Sequence, residues 1–214
     1  MSENSSEPDA KKIKSYIELE IRDKNRLETF VDGVFAIAIT LLGLEFVVPV
    51  LAHSDVVLLN FLGSFWPNFA GYFLAFFLLG LLLNIHNRQF RNLEYANQPL
   101  WWINLVFLAF IVLVPFATSI RAKFGDTIVG SVFFDIIMLI SGIILYINWY
   151  YAKNHKYLLK KDITSSTMKI INYRNLAIPI ASLIAIGLAF LNPLLSNFAY
   201  LIILVIIFLT NYKY

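Results

Sequence analysis

Apolar and polar positions fall into long blocks along this chain. Residues 1–29 are rich in Ser, Glu, Asp and Lys, and the first long apolar run begins at Phe30. Six apolar segments follow, at about 30–50, 65–86, 98–118, 127–150, 174–191 and 194–212. Each is near the ~20 residues that a helix rising about 1.5 Å per residue needs to cross bilayer hydrocarbon. A segment in hydrocarbon must satisfy its own backbone hydrogen bonds, so runs of this length predict helices. Strands of a membrane barrel would be shorter and would alternate in polarity. Pro179 falls inside the fifth segment and predicts a kink there. The amphiphilic stretch Asp55–Ser64 (DVVLLNFLGS) predicts either a helix lying along the interface or an extension of the second helix. Residues 11–29 predict a polar extension of the first helix. The late start of the first apolar run, with no cleavage site after it, argues against a cleaved secretory signal.

Composition narrows the class. Of 214 residues, 59% are hydrophobic and 14% charged, and the mean hydropathy is +0.70. A soluble domain carries about 25% charged residues. A disordered chain is excluded and a soluble enzyme is disfavoured. The expectation is an all-α integral membrane protein, with a cytosolic segment over 1–29 and one six-helix transmembrane unit over 30–212. No cysteine is present, which removes disulfides and thiolate chemistry. The histidines at 53, 86 and 155 lack metal-ligand spacing, and no cofactor is expected.

Charge placement supplies an orientation. Lys11, Lys12, Lys14, Arg22, Lys24 and Arg26 precede the first segment, and Arg88 and Arg91 follow the second. Lys153, Lys156, Lys160, Lys161, Lys169 and Arg174 fall between the fourth and fifth, and Lys213 ends the tail. The other side holds Arg121 and Lys123 alone. Fifteen cations against two place both termini in the cytosol of a multi-pass protein of the cell membrane. The net charge of +3 is thereby accounted for by topology, with no nucleic-acid partner. Trp66, Trp101, Trp102, Trp149, Tyr150 and Tyr151 stand at segment ends, as interfacial aromatics do. No internal repeat relates segments 1–3 to 4–6, so the inverted-repeat signature of many secondary transporters is missing.

The first apolar segment carries the most information. On a wheel of about 100° per residue, with Ile37 at zero, Leu41 falls near 40° and Leu44 near −20°. Thr40 flanks this aliphatic stripe at about −60°, and Asp32 lies nearly opposite at about 220°. A carboxylate inside a membrane normally has a partner. Asn84, His86 and Arg88 at the end of the second segment, and Trp101, Trp102 and Asn104 at the start of the third, share its depth. They predict a hydrogen-bonded clamp joining the first three helices around Asp32. Asp135, about two turns into the fourth segment, predicts pairing with a neighbouring span or exposure to a water-filled vestibule. Arg121 and Lys123 are expected to be ordinary outer-loop charges. The basic run His155–Asp162 is expected to set topology, with contact to anionic headgroups as a second role. No G-x-S-x-G nucleophile setting, phosphate loop or paired-carboxylate signature occurs, so an enzyme is not expected.

The residues Arg26-Leu-Glu-Thr-Phe30-Val31-Asp32, followed by GVFAIAITLLGLE, resemble the Arg-x-x-x-Phe-Ser-Asp start of the first helix in the lysosomal potassium channel family known as transmembrane protein 175. Val31 stands where that motif has Ser. INLVFLAFIVLVPF (Ile103–Phe116) is similar to the family's third span, and His86 stands alone where members often have paired His. The resemblance implies a prokaryotic, single-repeat member assembling as a homotetramer around a pore lined by the first helix. It implies a constriction at Ile37, Leu41 and Leu44, a selectivity-related layer at Thr40, and motif and clamp roles for Arg26, Phe30, Asp32, His86 and Asn104. The implied permeant ion is potassium, passively conducted with modest preference over sodium, with protons as a further candidate; the other partners are the lipid bilayer and further copies of the chain. Two alternatives stand beside it: a proton-coupled transporter using Asp32 or His86, and a structural membrane subunit that conducts nothing alone.

Overall fold

The computed structural model describes residues 6–44, 46, 50, 54–203 and 206, with side chains from Lys24 onward. The described chain is all-helical: α1 (Ser6–Gly43), α2 (Asp55–Ser64), α3 (Trp66–Arg91), α4 (Gln98–Phe124), α5 (Ile128–Asn154), α6 (Ser165–Ala189) and a short α7 (Ser196–Ala199). Among these, α3 to α6 are each long and apolar enough to cross a membrane. Within α1 the apolar stretch runs from Phe30 to Gly43. The remainder of the segment expected to 50 lies largely outside the described residues, as does the sixth segment beyond Ile203 except residue 206.

Local chemistry explains where the helices start. Asn97, Thr127 and Thr164 each turn a side-chain oxygen onto a backbone N–H of the first turn of α4, α5 and α6 (Leu100 at 3.2 Å, Gly130 at 3.1 Å, Thr167 at 3.2 Å), which satisfies a donor that the helix itself cannot. Pro67 and Pro99 sit in first turns, where the missing N–H costs nothing. Phe65 joins α2 to α3 in a right-handed helical conformation (φ −86°, ψ −4°), and α2 itself is ten residues long.

Helices run past several expected ends. α6 begins at Ser165 rather than near 174, and α3 continues to Arg91 rather than 86. Hydropathy marks the apolar part of a helix, and these extensions are polar turns outside it. α5 packs most extensively, against α4 on one side and α6 on the other, while α1 rests on α3 and α4. α5 and α6 approach closely: a Cβ built on Gly142 would lie 2.7 Å from Cδ of Pro179, so the proline ring occupies the space that glycine leaves. Trp149, expected at the interface, is fully buried on the core side of α5.

Candidate functional site

One face of α1 is used up in folding. Leu27, Val31, Phe35, Ala38 and Leu42 recur at spacings of three and four and are all buried, the stripe that 3.6 residues per turn predicts. Phe35 meets Phe107 of α4 with ring centroids 5.9 Å apart. Val31 belongs to this stripe, so an apolar side chain there suits its surroundings. The opposite face is largely uncovered by the described residues. Ile37 is 59% and Leu44 74% exposed, and Phe30, Gly33 and Thr40 are exposed with them. Thr40 donates its hydroxyl hydrogen to the carbonyl of Ile37 at 2.8 Å, which leaves its oxygen lone pairs outward. Leu41 differs: it is half-buried and, with Leu42 and Leu44, lines a cavity of about 530 Å³ shared with Tyr72, Pro115 and Thr118.

The clamp forms with other members than the sequence predicts. Arg26, Phe30 and Asp32 are exposed, and Asp32 makes no hydrogen bond or ion pair with a described residue. Asn84 is exposed as well. Of the expected group, His86 and Asn104 meet, with Nε2 to Oδ1 at 2.9 Å. From there a buried chain of amides crosses the bundle. Asn104 Nδ2 donates to the Leu100 carbonyl at 2.7 Å and to Asn148 Oδ1 at 2.9 Å. Asn148 Nδ2 donates to Gln89 Oε1 at 2.7 Å. Gln89 Nε2 donates to the Leu145 carbonyl and to Asn175 Oδ1, both at 2.9 Å. Each amide's orientation is set by its neighbour, and Asn104 Oδ1, left as an acceptor, requires His86 to carry its hydrogen on Nε2. The His86 ring stacks between Phe90 (4.2 Å) and Phe107 (5.9 Å). The clamp thus joins α3, α4, α5 and α6 and leaves α1 out.

A second polar cluster sits at the other end of α4. Arg121 and Asp135 form a buried ion pair at 2.7 Å. Tyr200 donates to the same Asp135 oxygen at 2.8 Å, Arg121 also reaches Ser196 Oγ, and its guanidinium lies 4.8 Å from the Phe134 ring centroid. Asp135 pairs with a neighbouring span, as one expectation had it. Arg121, expected as an outer-loop charge, is instead an interior one: α4 continues to Phe124 and carries it in. Lys123 is exposed.

Sequence reasoning missed Gln89, Asn148 and Asn175. The available signal was an amide inside or just beyond an apolar run, where an unpaired polar group is costly. Among the described residues, no three His, Asp or Glu side chains gather where they could hold a metal ion.

Comparison with known proteins places this geometry in a context. The family model described as "Endosomal/lysosomal potassium channel TMEM175" matches residues 26–115, from Arg26 through Pro115. A potassium channel of Streptomyces collinus is 26% identical over 180 residues, spanning 82% of this chain and 87% of that one. The endosomal/lysosomal proton channel TMEM175 of Gallus gallus is 33% identical over 110 residues, 48% of this chain but 22% of that protein. The crystal structure of a lysosomal potassium-selective channel TMEM175 homolog from Chamaesiphon minutus superposes with a TM-score of 0.73 at 26% identity, covering 89% of this chain and 99% of that one.

Proposed function

The chain belongs to the TMEM175 family, and from that premise we propose that it is a passive, potassium-permeable cation channel of six spans per subunit, assembled as a homotetramer. In this reading the apolar part of α1 and the segment from 194 to 212 supply the first and sixth spans, and both termini lie in the cytosol. The observation that carries the reading is the unpartnered aliphatic face of α1, opposite the stripe that the fold buries. The described residues leave Ile37 and Leu44 largely uncovered, and four copies around an axis would give each a place.

The physics of such a constriction is simple. A ring of aliphatic side chains admits water reluctantly and gates by dewetting. A cation must shed part of its hydration to pass, and potassium does so more readily than sodium. A ring of this kind gives modest preference, because it offers no carbonyl oxygens in place of the lost water. Ile37, Leu41 and Leu44 are assigned to the constriction, with Leu41 at its edge, and Thr40 contributes an outward oxygen beside it.

The transporter alternative needs Asp32 and His86 to share a proton. It finds little support in a pair where Asp32 is exposed and unbonded while His86 is buried with Nε2 engaged. Relatives are named for proton as well as potassium conduction, so protons belong among the tested ions. The test is ion flux in proteoliposomes, with potassium, sodium and protons compared in wild type and Ile37→Asn. The expected result is passive potassium flux that rises in the variant with weaker discrimination. Unchanged flux and preference would remove Ile37 from the constriction. Flux that appears only with a proton gradient would replace the channel by a transporter.

A further inference from the structure

The connections α3–α4 and α5–α6 lie at the same end of the bundle and are fastened to each other. Leu93 and Leu159 form an antiparallel bridge, flanked by backbone bonds from Glu94 N to the Leu158 carbonyl (2.7 Å) and from Lys160 N to the Asn92 carbonyl (3.0 Å). Asn97 Nδ2 adds bonds to the hydroxyls of Tyr151 (3.0 Å) and Tyr157 (2.8 Å). Leu93, Ala96, Leu158 and Leu159 are buried beneath this clasp. The clasp therefore has a fixed inner side, and the remaining positions must turn outward.

Those outward positions are basic. Arg88 and Arg91 share a face of the last turn of α3 by their spacing of three, and Asn92, the next residue, accepts the backbone bond from Lys160. This sets the backbone of Lys160 beside the end of α3, one residue after Arg91. Arg91 and Lys161 are exposed, Arg88 and Lys160 half-exposed, and none of the four forms an ion pair with another described residue. Glu94 and Asp162 are the acidic residues of the two connections, too few to balance them. Exposed aromatic rings of Trp102, Tyr150, Tyr157 and Tyr173 occur at the same end, the mark of the headgroup layer. Charge-based topology explains why cations gather on this side. It does not require the two separate, cation-bearing connections to be joined backbone to backbone.

We propose that the clasped connections, through Arg88, Arg91, Lys160 and Lys161, form a binding surface for the phosphate headgroup of anionic phospholipid in the adjoining leaflet. Arginine meets phosphate in a bidentate fashion, and long basic side chains reach the headgroup level while their stems stay on apolar surface. The inference rests on the membrane-spanning reading of α3–α6 and is independent of the pore assignment. A silent Ile37→Asn with an intact lipid preference would sink the pore alone.

The test is native mass spectrometry of the purified full chain in detergent supplemented with equal parts of phosphatidylglycerol and phosphatidylcholine. Wild type should retain phosphatidylglycerol at least about tenfold over phosphatidylcholine. Arg88→Gln/Arg91→Gln/Lys160→Gln/Lys161→Gln should lose that preference, while Lys160→Arg/Lys161→Arg keeps it. If the fourfold variant does not fold, Lys160→Gln/Lys161→Gln should still reduce the preference at least about threefold. Equal retention of the two lipids by wild type, or a preference untouched by neutralisation, overturns the proposal. So does full displacement of phosphatidylglycerol by inorganic phosphate, which would mark a free-anion site instead.

Discussion

The outer face of α1 and the interior of α3–α6 use side chains in opposite senses. On α1 the described residues leave Ile37 and Leu44 largely uncovered, although burying such groups is worth about 1.5–3 kcal/mol each. Inside the bundle the chain buries Gln89, Asn104, Asn148 and Asn175, although each must then find hydrogen-bond partners. In a bilayer this inversion is natural. Lipid already shelters apolar surface, so helices gain specificity from polar contacts between them. An aliphatic face that the described residues leave uncovered is, in the proposed channel, available to other copies of the chain and to the space between them. The buried amides hold the helices in place, and in the proposed reading the exposed aliphatics are left for conduction.

If the division is correct, interior substitutions should cost stability and leave ion preference alone, with α1 face substitutions doing the reverse. The largest loss is expected from Asp135→Leu, which strands the buried Arg121 charge and leaves the Tyr200 hydroxyl without its acceptor. About 3–5 kcal/mol of stability should go, read by denaturant unfolding in detergent. Adding Arg121→Met should recover most of it, because the uncompensated charge rather than the pair's own strength sets the penalty.

Gln89→Leu comes next. It removes the centre of the amide chain and leaves Asn148, Asn175 and the Leu145 carbonyl each short of a bond, at about 2–3 kcal/mol. The potassium-to-sodium flux ratio of the protein that still folds should match wild type. A changed ratio would mean that the interior takes part in selection and would break the comparison. Gly142→Ala should lower stability by about 1–3 kcal/mol through overpacking against Pro179, again without altering ion preference. The smallest structural effect is expected from Asp32→Asn. With no bonded partner among the described residues, its melting temperature in detergent should match wild type. A clear drop would restore Asp32 to the clamp.

The aliphatic stripe of Ile37, Leu41 and Leu44 was legible because its spacing depends on one helix. The buried stripe from Leu27 to Leu42 has equally local spacing, yet the reading of the sequence did not single it out. Leu41 shows the limit: the wheel groups it with Ile37 and Leu44, yet a neighbouring wall formed by Tyr72 and Pro115 half-covers it. The clamp was legible at His86 and Asn104, whose depths match. Gln89 was lost because apolar content runs out near residue 86 while the helix itself continues to Arg91. Arg121 was misplaced for the same reason at the other end.

By itself, then, the sequence determined the helical class, the apolar runs, the charge bias and the aliphatic stripe on α1. Each follows from hydrophobicity and a 3.6-residue period, which act within a few turns. The tertiary structure alone decided that Asp32 makes no hydrogen bond or ion pair with a described residue, that an amide chain links four helices, and that Arg121 turns inward to Asp135. Those outcomes depend on how far each helix slides and rotates against its neighbours. A shift of one residue turns a side chain by about 100°, enough to exchange a partner for lipid, and no local pattern records it.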